Sequence, residues 1–557
     1  MRRWHAVVGL GLGLCLAQAG CTKEDPNSAA HWIEKLNSPV RSNAIQKLGA
    51  MKSKEAIEPL KAAYKVGTDR AAIVSALTKI GDPSVAPLMV EALGDMDPSL
   101  AQMAGEALKA WKIKNPDAYL AVATNVKAPR EGRYAALELI AADPDPKVAD
   151  ALIPILEGDP DLAPVAFVGQ AATALGALQY EKAIPGLVRC MWLDDRAGRN
   201  EVPACRLALA RMGTKATAKM VEALERKNRD VEDRARKLRF ESGGLIEAKC
   251  AEVLGDSPDP AAVEPLIAAL KKFDDLPAYI QDQKKAQMFV MAGVQKVISI
   301  ANALAAIGDE RAVKPLLEVA ADGELALEHK MAAVQQLAFL GQVSAVPGMQ
   351  KLLAGKVDAE DPVSNGFRVQ IALNLVNLLD GTDPKAMDAT EKQINAIMAE
   401  MDKWAADATK KAAAAQGDEK LMLGQNLKGY AEWKKNYANA LAKLAVTREC
   451  KTDIPCWGAK LADKEEVVYM KAAYALANLK PTADKAPLVQ ALLTQAGNEN
   501  LVLRNVVLFG LSRHGDKSIV PDLQKIREAD VERAKRDKRF EGTVYTMDLT
   551  IAKLSLR

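Results

Sequence analysis

Apolar side chains recur along this chain at intervals of three and four residues, the spacing that places them on one face of an α-helix. Many of these Ala-rich stretches end in glycine, and an Asp or Pro often follows before a second apolar phrase. Glycine accepts the left-handed conformation that ends many helices, and proline costs little in a helix's first turn. The pattern predicts helix pairs joined by turns at Leu48-Gly49, Ile80-Gly81-Asp82, Leu175-Gly176, Leu254-Gly255-Asp256, Ile307-Gly308-Asp309 and Leu340-Gly341.

The helix pairs are repeated along the chain, returning after roughly 30 to 40 residues. The phrase that opens the second helix recurs as Glu55-Ala56-Ile57-Glu58-Pro59-Leu60, Pro83-Ser84-Val85-Ala86-Pro87-Leu88, Ala262-Val263-Glu264-Pro265-Leu266 and Ala312-Val313-Lys314-Pro315-Leu316. A single helix pair cannot bury its apolar face, so neighbouring pairs must stack. The sequence therefore predicts an all-α fold with no sheet, an elongated α-solenoid in which helical hairpins form a superhelical array.

These phrases resemble HEAT repeats, specifically the short kind related to phycobilisome-lyase repeats. The clearest units are residues 40–64, 70–93, 246–271 and 300–320, and degenerate units fill most of residues 28–557. The resemblance implies a curved surface on which one face receives a protein partner. Some relatives of these repeats resemble bilin lyases or act in enzyme maturation, so a lyase or maturation factor is an alternative, although nothing in the chain marks a bilin site.

We divide the chain into five segments. They are a signal peptide over residues 1–20, a lipid-anchored flexible tether over 21–29, a HEAT-like repeat array over 30–383, a long-helix insertion within the array over 384–446, and C-terminal HEAT-like repeats over 447–557. The insertion carries an apolar stripe at helical spacing, formed by Met387, Ile394, Ile397, Met398, Met401 and Trp404. Core packing is one interpretation of this stripe, and a groove for a partner is the other, because Met adapts its shape easily.

The N-terminal segment has the composition of a signal peptide. Arg2 and Arg3 precede an apolar run from Ala6 to Leu16, and a basic start followed by such a run is typical of exported proteins. The run is shorter than the roughly 20 residues that a membrane-spanning helix needs. We therefore expect an exported protein.

The end of this segment, Ala19-Gly20-Cys21, resembles the lipobox of bacterial lipoproteins, although Gln18 stands where the family usually has an aliphatic residue. The resemblance implies lipidation of Cys21 and a membrane-anchored protein that faces the periplasm. Thr22 is similar to the residue found in lipoproteins of the outer membrane. The alternative is cleavage after Ala19, which would release a soluble periplasmic or secreted protein.

The mature chain is almost neutral. Loss of Arg2 and Arg3 reduces the basic residues from 75 to 73 against 72 acidic residues, a formal charge of +1. A nearly neutral protein has no electrostatic reason to bind nucleic acid. No later run approaches about 18 apolar residues, so we expect the N-terminal lipid to be the sole contact with a membrane.

Five cysteines remain after Cys15 and Cys21 are set aside. Cys190 and Cys205 flank a polar turn almost symmetrically, and Cys450 and Cys456 bracket a second turn. In an exported protein these pairs are possible disulfides that hold hairpins closed. The competing interpretation is free buried thiols, and Cys250 is expected in the core.

Two charge-rich stretches lie at residues 226–239 and 530–539. Asp-Val-Glu (230–232 and 530–532) and Arg-Phe-Glu (239–241 and 539–541) recur there at an offset of 300 residues. This offset indicates a segmental duplication, unless two helical repeats simply look alike. Each stretch is either a solvated helix with ion pairs or a docking face for an acidic partner or lipid headgroups. The docking residues would be Arg229, Arg234, Arg236, Arg239, Arg533, Arg536 and Arg539.

The chain offers few groups for catalysis. His31, His329 and His514 are far apart in sequence and are expected at the surface or in helix caps, and no nucleophile stands at a defined offset from a base. We therefore expect no catalytic activity, no cofactor, no metal and no small-molecule substrate. The function expected is a scaffold or adaptor that binds protein partners in the cell envelope, with a structural envelope protein as the alternative.

Overall fold

Every regular element in the described part of the chain is a helix, and no strand occurs there, which confirms the predicted all-α array of hairpins. The computed structural model describes residues 25, 27–158, 164–193, 202–238, 244–272, 278, 280–356, 359, 361–480 and 484–557. The chain forms two compact units, one ending at Ala142 and the other beginning at Asp143. The sequence did not predict this boundary, because the repeat pattern continues through it.

The first unit contains eight α-helices among the described residues. They are α1 (Ala29–Glu34), α2 (Arg41–Met51), α3 (Ile57–Lys65), α4 (Arg70–Ile80), α5 (Ala86–Leu93), α6 (Pro98–Ala110), α7 (Pro116–Thr124) and α8 (Arg130–Ala142).

The second unit continues the same alternation of longer and shorter helices. Its helices are α9 (Ala149–Leu156), α10 (Val165–Ala177), α11 (Ile184–Cys190), α12 (Val202–Met212), α13 (Thr217–Leu224), α14 (Arg229–Leu238), α15 (Leu245–Asp256), α16 (Val263–Leu270), α17 (Gln283–Ile307), α18 (Val313–Ala321), α19 (Leu327–Leu340), α20 (Val346–Leu353), α21 (Pro362–Leu378), α22 (Pro384–Ala414), α23 (Gly417–Cys450), α24 (Ile454–Leu461), α25 (Glu466–Asn478), α26 (Ala486–Leu493), α27 (Leu501–His514), α28 (Val520–Ala534) and α29 (Glu541–Ser555).

Several turns between helices share one local feature. An Asp carboxylate caps a short 3-10 turn that leads into the second helix, as where Asp82 accepts a hydrogen bond of 3.0 Å from the backbone N–H of Ser84. The equivalent bond from the N–H of Arg311 to Asp309 measures 2.9 Å. Such side chains satisfy N–H groups that a helix start leaves without partners. The bonds from Ser84 hold the pKa of Asp82 at about 2.

Glycines at the predicted turns have two different roles. Gly81, Gly308 and Gly341 adopt the left-handed conformation (φ +75°, +74° and +70°) and end α4, α17 and α19 as predicted. Gly49, Gly176 and Gly255 instead lie inside helices, where a Cβ atom would come within 2.8 Å of Ala76, 2.6 Å of Ala208 and 3.1 Å of Ala303 on a neighbouring helix. The prediction of a turn glycine is therefore wrong at these three positions, because the missing side chain serves close helix packing there.

The helices of the second unit form two rows. Helices α10, α12, α15, α17, α19, α21, α23, α25, α27 and α29 make up the first row, and the first-row helices that follow one another are in contact. The shorter helices of the second row, such as α16, α18, α20 and α26, each pack against the first-row helix that follows them. This two-row arrangement gives each hairpin a neighbour that covers its apolar face.

The first row of the second unit closes into a ring. Its last helix, α29, contacts α12 as well as α27. The hydroxyl of Tyr545 on α29 donates a hydrogen bond to the carbonyl of Pro203, and Lys553 donates one of 3.0 Å to the carbonyl of Gly255 at the end of α15. This closure was not predicted, because no local pattern records contacts between segments about 300 residues apart.

Buried and half-buried basic side chains connect the carboxyl-terminal ends of the first-row helices. Arg513, near the end of α27, donates hydrogen bonds to the carbonyls of Ala305, Phe339 and Ala477, which lie at the ends of α17, α19 and α25. Lys471 donates to the carbonyl of Leu379 at 2.7 Å, just beyond the end of α21. Cations at helix carboxyl ends satisfy free carbonyls and interact favourably with the helix dipole. We call this side of the ring the capped end.

His514 at the capped end makes the stability of the second unit dependent on pH. Its Nε2 lies 2.8 Å from the carbonyl oxygen of Ala477, and burial lowers its pKa to about 4 from the usual 6.5. Between these values His514 binds a proton in the unfolded chain but not in the folded chain, so the contribution of His514 to stability is full above pH 6.5 and falls as the pH drops toward 4.

We expect His514→Gln, which keeps a donor near Ala477 and does not titrate, to remove up to about 3 kcal/mol of the loss in unfolding free energy between pH 6.5 and 4. Urea unfolding followed by circular dichroism at a series of pH values measures the difference. At pH 8 the variant and the wild type should differ by less than about 1 kcal/mol. Parallel pH profiles for the two proteins would contradict the prediction.

The longest helices belong to the array rather than standing apart from it. Helices α22 and α23 cover the predicted insertion, and α23 contacts both α21 and α25 as a first-row member. Among the described residues, α17 is long and apolar enough to cross a membrane, which our sequence prediction did not anticipate. More than half of its most apolar stretch is buried against neighbours such as α15 and α19, so α17 is a core helix of the ring.

Candidate functional site

Two open recesses lie on the inner side of the ring. The larger one, of about 810 Å³, lies among α17, α19, α21, α23 and α25, and the smaller one, of about 490 Å³, lies among α12, α15, α17, α27 and α29. Asn302 on α17 lines both of them. Volumes of this size are typical of ligand-binding clefts, and the inner side of the ring is our candidate site.

Side-chain amides dominate the larger recess, which we call the carboxamide recess. Its amide residues are Asn302, Gln335, Gln336, Gln370, Asn374, Asn377, Asn436 and Asn439. Helices α17, α19, α21 and α23 each contribute at least one of them. First-row helices that contact one another in sequence order therefore each present amide groups to the recess.

Most of these amides have unused hydrogen-bonding capacity. Asn374 and Asn436 each donate to a carbonyl one helical turn earlier, and Asn377 accepts from Lys443 at 3.1 Å. The side chains of Asn302, Gln335, Gln336, Gln370 and Asn439 make no hydrogen bond to any described residue. Each carboxamide offers two N–H donors and an acceptor oxygen, so the recess can bind a ligand that is itself rich in donors and acceptors.

Charged groups stand mainly at the margin of the carboxamide recess. Glu328 and Glu466 are exposed there, whereas Lys443 is buried. Burial lowers the pKa of Lys443 to about 8, because an ammonium group loses its hydration in the protein interior. Met331 and Met470 add flexible apolar surface.

The smaller recess holds a network of charges, and we call it the charged recess. Arg206 donates a hydrogen bond of 2.8 Å to Glu252 and pairs with Asp256. Burial alone would lower the pKa of Arg206, but the neighbouring carboxylates, Asp256 foremost, raise it above its usual value. Burial raises the pKa of Glu252 in spite of the nearby guanidinium. These charges pair with one another, so the charged recess offers a ligand fewer free groups than the carboxamide recess.

Potential metal ligands do not cluster in the part of the chain that the structure describes, and two of the histidines lie in its interior. No group of three or more His, Cys, Asp or Glu side chains there could hold a metal ion. His329 and His514 are both buried. The expectation of a histidine at the surface or in a helix cap is wrong for His329, which lies within α19 near its start. His514 contacts the carbonyl of Ala477 at the end of α25, as a cap residue would.

The cysteines predicted to pair are brought together. The structure joins Cys190 to Cys205 and Cys450 to Cys456 as disulfides, with Cα–Cα distances of 5.9 and 5.4 Å. The first connects the end of α11 to α12, and the second connects the end of α23 to α24. Cys250 is a free, buried thiol, and burial raises its pKa. Cys21 lies outside the described residues.

The arginines proposed for docking are dispersed, and several are occupied within the chain. Arg234 donates to the carbonyl of Trp192, and Arg533 donates to the carbonyl of Gly497. Other members form ion pairs, namely Arg236 with Asp233 at 3.5 Å and Arg539 with Asp537 at 2.6 Å. Arg229 and Arg536 are exposed, and Arg239 lies outside the described residues. Docking through these arginines stays a prediction.

The apolar stripe on α22 contributes to the core. Met387, Ile394, Ile397 and Met401 are buried, while Met398 and Trp404 are half-buried. Trp404 packs near Tyr430 on α23 with ring centroids 5.9 Å apart. Of the two interpretations, core packing fits the structure.

Our reading of the sequence missed the carboxamide recess. The available signal was the isolated Asn or Gln inside otherwise apolar helices, as in Ile300-Ala301-Asn302-Ala303-Leu304 and Tyr437-Ala438-Asn439-Ala440-Leu441. A polar residue in such a stretch costs free energy if it is buried without a partner. Isolated amides in several apolar helices of one array therefore suggest a shared exposed surface.

Comparison with known protein families agrees with the repeat architecture. The family described as PBS lyase HEAT-like repeat matches residues 40–65, 248–272 and 298–322. These segments correspond to α2 with α3, α15 with α16, and α17 with α18. No curated protein matches the chain.

Solved structures with similar helix arrangements include the karyopherin complex titled "Kap95p Binding Induces the Switch Loops of RanGDP to adopt the GTP-bound Conformation", at 12% identity and a TM-score of 0.32, covering 94% of this chain and 87% of that one. Importin beta in a polyethylene glycol condition has 12% identity and a TM-score of 0.29, covering 94% and 82%. An engineered protein has 17% identity and a TM-score of 0.25, covering 82% and 99%. No partner is carried over from these proteins.

Proposed function

We propose that this chain of HEAT-like repeats is a non-catalytic scaffold of the bacterial cell envelope that holds a protein partner on the inner side of its ring. The observation that carries the proposal is the set of amide side chains in the carboxamide recess, five of which make no hydrogen bond to any described residue. Polar groups held in place by packed helices are prepared to bind without further ordering, which reduces the entropic cost of binding.

The test for this scaffold is site-specific photo-crosslinking in the intact cell envelope. A crosslinking amino acid at Gln335, inside the carboxamide recess, is expected to give a discrete crosslinked protein band. The matched control is the same amino acid at Lys314, which is highly exposed on second-row helix α18. The same bands from both positions, or none from Gln335, would contradict binding on the inner side of the ring.

We further propose that lipid on Cys21 anchors the scaffold to a membrane, because Ala19-Gly20-Cys21 resembles a lipobox and the following residues are polar. Several acyl chains hold a protein at a membrane where one chain is marginal. Thr22 supports an outer-membrane location facing the periplasm.

Cys21→Ser is expected to move most of the protein from the membrane fraction to the soluble fraction and to abolish labelling by a fatty-acid analogue. Membrane fractionation and gel fluorescence measure the two effects. Thr22→Ser is the matched control and should behave as the wild type. Unlabelled wild-type protein would support cleavage after Ala19 instead, and would leave the scaffold proposal intact.

A further inference from the structure

We propose that the carboxamide recess binds a single extended polypeptide segment, chiefly through the main chain of that segment. This inference rests on the proposed scaffold function and names the class of ligand for the same site. It is carried by the chemistry of the amide row, by its spacing and by the scarcity of charge inside the recess.

The chemistry of the row matches a peptide backbone. A carboxamide and a peptide unit carry the same groups, an N–H donor and a carbonyl acceptor, so each can satisfy the other. Asn302, Gln335 and Asn439 project such groups from three different helices with no described partner. Because amides carry no net charge, this recognition does not depend on charged side chains in the ligand.

The spacing of the row matches an extended chain. Packed helices lie about 8–10 Å apart, so the four helices α17, α19, α21 and α23 present amides over roughly 25–30 Å. An extended segment rises about 3.3 Å per residue, and about eight residues span this distance, with an amide group at every third residue. A helix or a sheet interior already pairs its own N–H and carbonyl groups, and so offers the row little to bind.

The rest of the lining indicates which side chains the segment carries. Met331 is 37% exposed and, with Met470 and Leu373, offers adaptable apolar contacts. Glu328 and Glu466 disfavour acidic side chains at the margin. Tyr474 is the single aromatic residue in this lining and is only 7% exposed. We therefore infer a neutral or basic segment with apolar side chains, rather than a glycan that would need an open aromatic face.

The experiment uses the full chain and an array of random 12-residue peptides, with the best binders measured by fluorescence anisotropy. The triple variant Asn302→Leu, Gln335→Leu, Asn439→Leu is expected to weaken binding at least about tenfold, since three hydrogen-bonding sites are lost together. The matched control is Gln490→Leu, which removes an exposed amide from second-row helix α26 and should bind as the wild type. Circular dichroism shows whether each variant is folded.

A second measurement separates main-chain from side-chain recognition. N-methylation of alternate backbone amides in a bound peptide is expected to weaken binding at least about tenfold, whereas alanine at the same positions should weaken it only a few-fold. Equal loss from the alanine peptides, or binding of peptidoglycan oligosaccharides in place of peptides, would overturn the inference. A crosslinked band from Gln335 without any peptide binding would overturn this inference alone. If neither the crosslinked band nor peptide binding is observed, the scaffold proposal is overturned as well.

Discussion

Asp530→Asn is expected to lower the free energy of unfolding of the second unit by about 3–5 kcal/mol. Asp530 on α28 pairs with Arg504 on α27, and each side chain is only 1% exposed. A second guanidinium, that of Arg533, lies 3.7 Å from the same carboxylate. Removing the negative charge leaves the Arg504 guanidinium buried without compensation, and that desolvation is the physical reason for the large effect.

Urea unfolding of the full chain, followed by circular dichroism, measures this change. The matched control is Asp548→Asn, which breaks the pair of Asp548 on α29 with Arg527 on α28, an ion pair between neighbouring helices in a more exposed setting. Partly exposed pairs contribute about 0–1 kcal/mol. The double variant Arg504→Met, Asp530→Leu is expected to recover much of the stability, because it leaves no buried charge. A loss for Asp530→Asn no larger than for Asp548→Asn would show that the buried pair is not important.

Local patterns predicted the elements well because each depends on neighbouring residues. The cap at Asp82 and the left-handed glycine at Gly81 are contacts within a few positions, and both form as the sequence indicated. Gly176 and Gly255 stand in the same kind of phrase but pack against Ala208 and Ala303. A single sequence cannot separate these roles, because a turn glycine and a packing glycine are preceded by the same apolar residues.

Ring closure and the site depend on contacts that no local pattern contains. Lys553 reaches Gly255, and Arg513 reaches Ala305, across 298 and 208 positions of sequence. The charge-rich stretches attracted attention because charge is visible in sequence, yet Arg234 and Arg533 donate to backbone carbonyls. The amides of the recess are inconspicuous one by one, and only the parallel first-row helices bring them into a row.

The second large effect is expected from Arg513→Met at the capped end of the ring. The guanidinium of Arg513 donates hydrogen bonds to carbonyls of three helices, at 3.3 Å to Ala305, 2.9 Å to Phe339 and 3.4 Å to Ala477. It also donates to the side-chain oxygen of Asn478 at 2.8 Å. Burial lowers the pKa of Arg513 to about 10, so its placement in the interior has a cost.

Two effects of Arg513→Met oppose each other. The variant removes a buried charge, which is favourable, but it leaves several buried acceptors without a donor, at about 1–3 kcal/mol for each. The carbonyls of Ala305, Phe339 and Leu340 and the side-chain oxygen of Asn478 lose the Arg513 donor, whereas the carbonyl of Ala477 stays 2.8 Å from His514 Nε2. We expect the second effect to be larger, with a net loss of roughly 3 kcal/mol in unfolding free energy. Arg513→Lys keeps the charge but cannot reach three helix ends with one ammonium group, so its loss should be smaller yet clear.

Hydrogen exchange locates the consequence of Arg513→Met, because the loss should concentrate where helix ends meet. Amides at the carboxyl-terminal ends of α17, α19 and α25 are expected to exchange faster in the variant, and those of α12 and α29 should follow if the capped end supports ring closure. The control is Arg311→Met, whose side chain is half exposed in ion pairs with Asp309 and Glu264 and should cost less than about 1 kcal/mol. Unchanged exchange at all three helix ends would mean that packing of the first row alone holds the ring, and that Arg513 only fills space between helices that would meet without it.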